Sequence, residues 1–138
     1  MLLNLTDQSS ESLQKQIIRQ LRAKILTGEL SANSSLPSIR IFSREHHISV
    51  ITVQRAYENL LREGFIQSRR SKGFFVSELT HQKKKKIAKL RLLENLEPII
   101  NISINEGLTK KDVCSIFETI IEKYNAFNKK ELNHAKSI

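Results

Sequence analysis

The chain has 138 residues, enough for one ordinary domain or for a small domain with a helical appendage, and too few for a large multidomain enzyme. Its 23 Lys and Arg residues exceed its 14 Asp and Glu residues, so the formal net charge is +9. This excess favours a polyanionic partner, although a solvated lysine-rich surface would give the same count.

The N-terminal segment lacks the basic start and long apolar run of a secretory signal, and no apolar run approaches membrane-spanning length. We therefore expect a cytoplasmic protein that does not contact a membrane. The single cysteine, Cys114, has no partner for an internal disulfide. Its apolar neighbours predict a small buried residue on a helix.

The first predicted element is an amphipathic helix over residues 10–26. Apolar residues recur there at spacings of three and four, after a Ser-rich start and before Gly28. The following loop ends in Pro37, which suits the entry to a short second helix over residues 38–45. The residues expected to be buried on this second helix are Ile39, Ile41 and Phe42.

A third helix is predicted to begin after Ser49, a favourable N-cap residue, and to end at Gly64, which suits the left-handed position after a helix. Two short helices separated by a few residues are typical of a helix-turn-helix. The runs "FIQSR" and "FFVSE", joined by "RSKG", then predict a β-hairpin with a basic tip. This order of elements predicts a winged helix over residues 1–77.

Residues 78–138 are expected to form a separate helical segment. A long helix follows the lysine run, and Pro98 should kink or break it. Thr109, with Asp112 three residues later, is a variant of the capping box and opens the last helix. The predicted fold class is therefore mainly α with a small β-hairpin: a winged helix-turn-helix followed by a C-terminal helical dimerisation segment.

The segment "LPSIRIFSREHHISVITVQRAYENLLREGFIQSRRSKGFFVS", residues 36–77, resembles the DNA-binding domain of GntR-family bacterial transcription regulators. The family motif contains Leu-Pro-Ser-x-Arg, Thr-Val, Ala-Tyr, Glu-Gly-x-Ile and a glycine-containing wing that ends in Phe-Val. The short helical tail is similar to that of the YtrA subfamily. This resemblance implies a homodimer joined through its C-terminal helices that represses nearby genes, frequently genes of ABC transporters.

If the third helix is a recognition helix, its first two turns lie in the major groove. The helical period turns Val53 and Tyr57 towards the core and leaves other positions outward. Gln54 can pair with adenine, and Arg55 can reach guanine or a phosphate. The β-branched Val50 and Ile51 can pack against thymine methyl groups. The alternative interpretation of these outward side chains is solvated surface.

Other DNA contacts are implied by position in the family motif. Arg40 matches an arginine that contacts the DNA backbone, and Ser49, Thr52 and Arg70 match positions near phosphate, helix cap or wing. Ser38 is expected to cap the second helix and can also lie near DNA. The complete predicted DNA-binding set is Ser38, Arg40, Ser49, Val50, Ile51, Thr52, Gln54, Arg55, Arg69, Arg70 and Lys72.

Two departures from the family pattern concern specificity. Many members have Arg where this chain has Val50, and the first wing glycine is replaced by Ser71. The resemblance therefore implies the fold but not the sequence of the operator.

The C-terminal helices carry apolar stripes that two helices alone cannot bury. Dimerisation is therefore predicted, and the alternative is that these helices fold back on their own winged helix. The predicted dimerisation residues are Leu90, Leu93, Ile99, Ile100, Val113, Ile116, Phe117, Ile120, Ile121 and Tyr124.

The leading prediction is a homodimeric repressor that binds a palindromic operator in double-stranded DNA. The alternative is a winged-helix module for protein–protein interaction. We find no phosphate loop, nucleophile with a base, or metal-ligand spacing, and predict neither enzyme activity nor a cofactor.

The run Lys83–Lys86 is either a solvated helix start or a source of non-specific DNA affinity. A small-molecule effector is compatible with the sequence, which identifies no pocket for it.

Overall fold

The structure is a computed structural model that describes residues 1–136. As predicted, it is mainly helical with one antiparallel hairpin. The helices are α1 (Leu13–Leu26), α2 (Ile39–His46), α3 (Val50–Arg62), α4 (His81–Asn105) and α5 (Lys110–Lys136), and the strands are β1 (Ile66–Arg69) and β2 (Gly73–Val76). The chain divides into two compact units, Met1–Lys86 and Ile87–Ile138. The functional boundary after residue 77 stays a prediction.

Serine side chains start the three helices of the first unit. The hydroxyls of Ser12, Ser38 and Ser49 accept hydrogen bonds from backbone N–H groups three residues later, at 3.3, 3.2 and 3.2 Å. Each bond satisfies one of the N–H groups that a helix start leaves unpaired. The turn after α2 has His47 in the left-handed region, and Gly64 takes the same region after α3. The predicted caps Ser38 and Ser49 and the predicted left-handed Gly64 are thus confirmed.

The core of the first unit lies between α1, α2 and α3, with Tyr57 at its centre. Tyr57 is fully buried, and its ring meets Phe42 and Phe74 edge-on at centroid distances of 6.0 and 5.0 Å. Its hydroxyl donates to the Pro37 carbonyl at 2.8 Å. Burial raises the pKa of Tyr57 far above its ordinary value, and the negative charge of Glu45 adds to the shift.

The expected burial of α2 is only partly correct. Phe42 is fully buried, Ile39 is half-buried, and Ile41 is 47% exposed. Residues three apart share a helix face, whereas the side chains of adjacent residues point in directions about 100° apart around the helix axis. Because Phe42 occupies the core face, Ile39 lies beside it and Ile41 points away.

The hairpin pairs Ile66 with Val76 at its base and Arg69 with Gly73 at its tip. The loop of residues 33–36 lies along the free edge of β2. Asn33 and Leu36 donate to the carbonyls of Val76 and Phe74, both at 2.9 Å, and the N–H of Val76 donates to Ser34. The sequence does not predict this third backbone segment, which attaches the wing to the loop between α1 and α2.

A second unexpected element is the N-terminal arm, residues 3–6. The Gln20 side chain exchanges two hydrogen bonds with the backbone of Asn4, at 2.9 and 2.6 Å. Gln16 does the same with Thr6, at 3.0 and 2.9 Å. Each amide side chain accepts from a backbone N–H and donates to a backbone carbonyl of the arm, as a neighbouring strand would. These bonds hold the arm on α1 although it forms no regular element.

The second unit contains most of α4 and all of α5. The helix α4 is continuous through Pro98, so the predicted break is wrong, while the alternative, a kink, stays a prediction. Residues on both sides of Pro98, Leu96 and Ile99, line the same apolar cavity as residues of α5, and this packing supports the helix where Pro98 donates no backbone hydrogen bond. Cys114 is exposed, contrary to expectation, because it lies off the half-buried face of Val113.

The start of α5 has the predicted capping arrangement. The N–H and hydroxyl of Thr109 donate to Oδ2 of Asp112 at 2.8 and 2.9 Å, and the N–H of Asp112 donates back to the Thr109 hydroxyl. These hydrogen bonds lower the pKa of Asp112, and the bond from the Thr109 backbone has the largest effect.

None of the helices within residues 1–136 has the length and apolar character that a membrane span requires.

One ion pair joins α1 to the end of α3. Arg22 donates to both carboxylate oxygens of Glu63, at 3.0 and 2.7 Å, and its guanidinium lies 5.5 Å from the centroid of the Phe65 ring. The Arg22 side chain is only 8% exposed, whereas that of Glu63 is 33% exposed. Removal of the carboxylate would therefore leave a buried cation without its partner.

We expect Glu63→Gln to lower the free energy of unfolding of the first unit by about 2 kcal/mol, below the cost for a fully buried pair because water screens Glu63. Native-state hydrogen exchange of core amides in α1 and α3 measures this unit separately from the second. Glu29→Gln is the matched control, since Glu29 is 64% exposed in its pair with Lys24 and its loss should cost at most about 0.5 kcal/mol. Equal effects of the two variants would contradict the role of the Arg22–Glu63 pair.

Candidate nucleic-acid interface

The outward side of α3 combines apolar and polar side chains. Ile51 is 62% exposed, and Gln54 and Arg55 are also exposed, while Val53 and Tyr57 are fully buried. Ile51 and Arg55 lie on the face opposite the core. Val50 is 44% exposed for a different reason: it lies in the first turn, beyond the end of the core. The start of α3 therefore presents two β-branched side chains to solvent.

Ser49 and Thr52 are engaged with each other at the start of α3. Their hydroxyl oxygens are 2.7 Å apart, and the Ser49 hydroxyl also accepts from the N–H of Thr52. Thr52 is half-buried. Both residues thus have a clear structural role, and their contact with DNA stays a prediction. Ser38 caps α2 in the same way.

Gln54 is oriented by a neighbour on its own helix. Its Nε2 donates to a carboxylate oxygen of Glu58 at 3.0 Å, one helical turn away. Bidentate pairing with adenine uses both the amide nitrogen and the amide oxygen. Gln54 must therefore release Glu58 before it can form that contact.

Arg40 on α2 and Arg55 on α3 are exposed. Neither residue takes part in the ion pairs found within the described part of the chain. Their guanidinium groups are thus available for phosphate oxygens, which they can bind with two parallel hydrogen bonds.

The three basic residues of the wing are not equivalent. Arg69 donates to Oδ1 of Asn33 at 3.0 Å, and its guanidinium lies 4.2 Å from the centroid of the Phe75 ring. Arg69 is half-buried and braces the wing, whereas Arg70 and Lys72 are exposed at its tip. Asn33 was missed from the sequence, where the available signal was an Asn in a Ser-rich loop. Asn tolerates the left-handed region, which Asn33 adopts at φ 63.

Ser71, which replaces the first wing glycine of the family motif, has φ 64. The left-handed region is unfavourable for a residue with a Cβ atom by about 1 kcal/mol. The turn therefore keeps the conformation that glycine would favour. Gly73 has φ 92 without this energetic cost, because glycine has no Cβ atom.

The second unit exposes an apolar surface made of the predicted dimerisation residues. Ile100, Val113 and Phe117 are half-buried and line an apolar cavity of about 280 Å³ between α4 and α5. The other predicted residues are all at least half exposed to solvent: Leu90, Leu93, Ile99, Ile116, Ile120, Ile121 and Tyr124. The described residues of this unit therefore leave the stripe uncovered.

No group of three or more His, Cys, Asp or Glu side chains among residues that the structure describes could hold a metal ion. His46 is instead structural: its Nδ1 lies 3.1 Å from the Phe42 carbonyl, and its Nε2 accepts from the N–H of Leu3.

Residues 13–76 match the family model described as "Bacterial regulatory proteins, gntR family". The chain is 37% identical over 76 residues to the HTH-type transcriptional repressor NagR of Bacillus subtilis, covering 55% of this chain and 31% of NagR. It is 29% identical to the uncharacterized HTH-type transcriptional regulator YhcF of the same organism over 83% of this chain and 94% of YhcF. A match to the HTH-type transcriptional repressor YtrA, also from B. subtilis, is 32% identical over 56% of this chain and 59% of YtrA.

Two solved structures of transcription regulators have folds similar to that of this chain over most of its length. A transcriptional regulator from Oenococcus oeni superposes with a TM-score of 0.65 at 25% identity, covering 87% of this chain and 99% of that one. YtrA from Sulfolobus acidocaldarius, a GntR-family transcription factor, superposes with a TM-score of 0.53 at 24% identity, covering 89% and 99%.

The relatives are named as transcription regulators and not as enzymes. The winged-helix architecture, the family match and the likeness to YtrA confirm the resemblance found in the sequence. Residues 13–76 of this chain are thus similar to the DNA-binding region of the GntR family of bacterial regulatory proteins.

Proposed function

We propose that this chain is a DNA-binding regulator of the GntR family, a homodimeric repressor that binds a palindromic operator through α3 and the wing. The observation that carries the proposal is the start of α3, where Val50, Ile51 and Gln54 are solvent-exposed on a helix whose other face is fixed in the core. Two relatives, NagR and YtrA, are named transcriptional repressors, which supports repression.

In this proposal the predicted residues have two kinds of role. Gln54 reads a base edge in the major groove, and Arg55 reaches guanine or a phosphate. Val50 and Ile51 pack against thymine methyl groups. Contacts to phosphates position the protein without reading sequence. The residues assigned to phosphates are Arg40, Arg70 and Lys72, with Ser38, Ser49 and Thr52 at the helix starts and Arg69 as a brace of the wing.

Dimerisation through the second unit explains its uncovered stripe. A single chain leaves Ile116, Ile120 and Tyr124 in water, and a second copy would bury the same surface on both protomers. Two recognition helices about 34 Å apart would then require a palindromic site. The regulated genes in the proposal lie near the gene of this protein and encode a transporter, as the family resemblance implies.

Selection of bound sequences from a random duplex library tests the proposed DNA recognition. We expect the wild-type protein to enrich a palindromic motif with half-sites separated by one helical turn of DNA or a multiple of it. Gln54→Ala should relax the preference at one position per half-site, at about 1 to 3 kcal/mol per lost contact, whereas Arg40→Ala should weaken binding to all sequences alike.

Gln54 and Arg40 are both exposed, so we expect both alanine variants to remain folded, which circular dichroism checks. A library that yields no motif, with equal affinity for all duplexes at physiological salt, would contradict specific DNA binding. That result would favour the protein-interaction module as the function of this winged helix.

Sedimentation at micromolar concentration tests the dimer. We expect a wild-type dimer, and we expect Ile120→Glu to weaken it by about 100-fold, because an unpaired charge buried in an apolar interface costs about 3 kcal/mol or more. Leu2→Glu is the matched control, since Leu2 is an exposed apolar residue of the first unit. A wild-type monomer, or equal effects of the two variants, would contradict the interface.

A further inference from the structure

The run Lys83–Lys86 belongs to the same compact unit as the winged helix, although it lies in α4. The chain leaves the wing at Val76, and the N–H of the buried Ser77 donates to the Phe65 carbonyl at 3.0 Å. Five residues lie between Ser77 and Lys83, so their two Cα atoms are at most about 20 Å apart. The lysine run therefore begins within about 20 Å of the base of the wing.

The positive charge of this run is not compensated within the described residues. Lys83, Lys85 and Lys86 are exposed, and none of the three ion pairs found in residues 1–136 includes them. No acidic residue lies between Glu78 and Glu94 in the sequence. A solvated surface normally mixes both signs of charge, which this segment does not.

The lysines also stand at an unfavourable place in their helix. Thr80 caps α4 through its hydroxyl and carbonyl, and the first turn contains no acidic residue. A helix N-terminus carries a partial positive charge, so cations there are destabilising and anions are stabilising. Four successive lysines are thus placed where a bound polyanion would relieve their mutual repulsion.

We propose that Lys83, Lys85 and Lys86 bind phosphates of DNA that flanks the half-site, which adds affinity without sequence preference. This inference rests on the proposed DNA-binding function and extends it by a second contact surface outside the helix-turn-helix and the wing. DNA is favoured over other polyanions because the run lies in the winged-helix unit and follows the wing along the chain.

The test measures the salt dependence of binding to a 40-base-pair duplex of scrambled sequence by fluorescence anisotropy. The plot of log affinity against log salt should lose about 0.9 in slope for each phosphate contact removed. We therefore expect the triple variant Lys83→Gln, Lys85→Gln, Lys86→Gln to lower the slope by about 2 or more. The ratio of affinities for the selected motif and for scrambled DNA should stay unchanged.

The matched control is Lys111→Gln, Lys129→Gln, Lys130→Gln, which removes the same charge from exposed positions of α5 away from the apolar stripe. A smaller change in slope for this control supports direct contact. An equal change in both triple variants would show only the effect of net charge and would overturn the proposal.

An unchanged slope for the Lys83, Lys85 and Lys86 variant would overturn it as well. If that variant instead lost binding to vesicles containing phosphatidylserine, the run would be assigned to a membrane surface. Because scrambled DNA is the probe, this test gives an answer even if the wild-type protein shows no sequence preference. Failure of the lysine contacts and failure of specific recognition are therefore separate results.

Discussion

The burial of Tyr57 is the constraint that determines which side of α3 faces solvent. Its hydroxyl is fixed by the Pro37 carbonyl and its ring by Phe42 and Phe74, so one residue joins α3 to the loop before α2, to α2 itself and to the wing. With Tyr57 held inside, the period of the helix decides which side chains face water. The rotation of α3 about its own axis is thereby determined.

The wing is positioned by a separate set of contacts. The loop of residues 33–36 pairs with β2, and Asn33 accepts a hydrogen bond from Arg69. This loop also directly precedes Pro37, whose carbonyl accepts the hydrogen bond from the Tyr57 hydroxyl. The wing and α3 are thus coupled through one short segment, and a change in this segment would move both surfaces that the proposal assigns to DNA.

The sequence predicts those features that depend on local patterns. Apolar spacing and serine caps identify α1, α2 and α3, and two alternating runs identify the hairpin. Pairing of Gln16 and Gln20 with the N-terminal arm, and of Asn33 with Arg69, depends on contacts between distant residues, which periodicity does not encode. The break at Pro98 was wrong because packing on both sides of a proline can outweigh one lost hydrogen bond.

The central claim is that the apolar start of α3 reads DNA through thymine methyl groups. The most direct measurement replaces each thymine of the selected motif by deoxyuridine and compares the wild-type protein with the double variant Val50→Ala, Ile51→Ala. The account predicts that wild-type affinity falls at one or two thymines per half-site and that the variant is insensitive to the same replacements. An equal loss for both proteins at every thymine would contradict it.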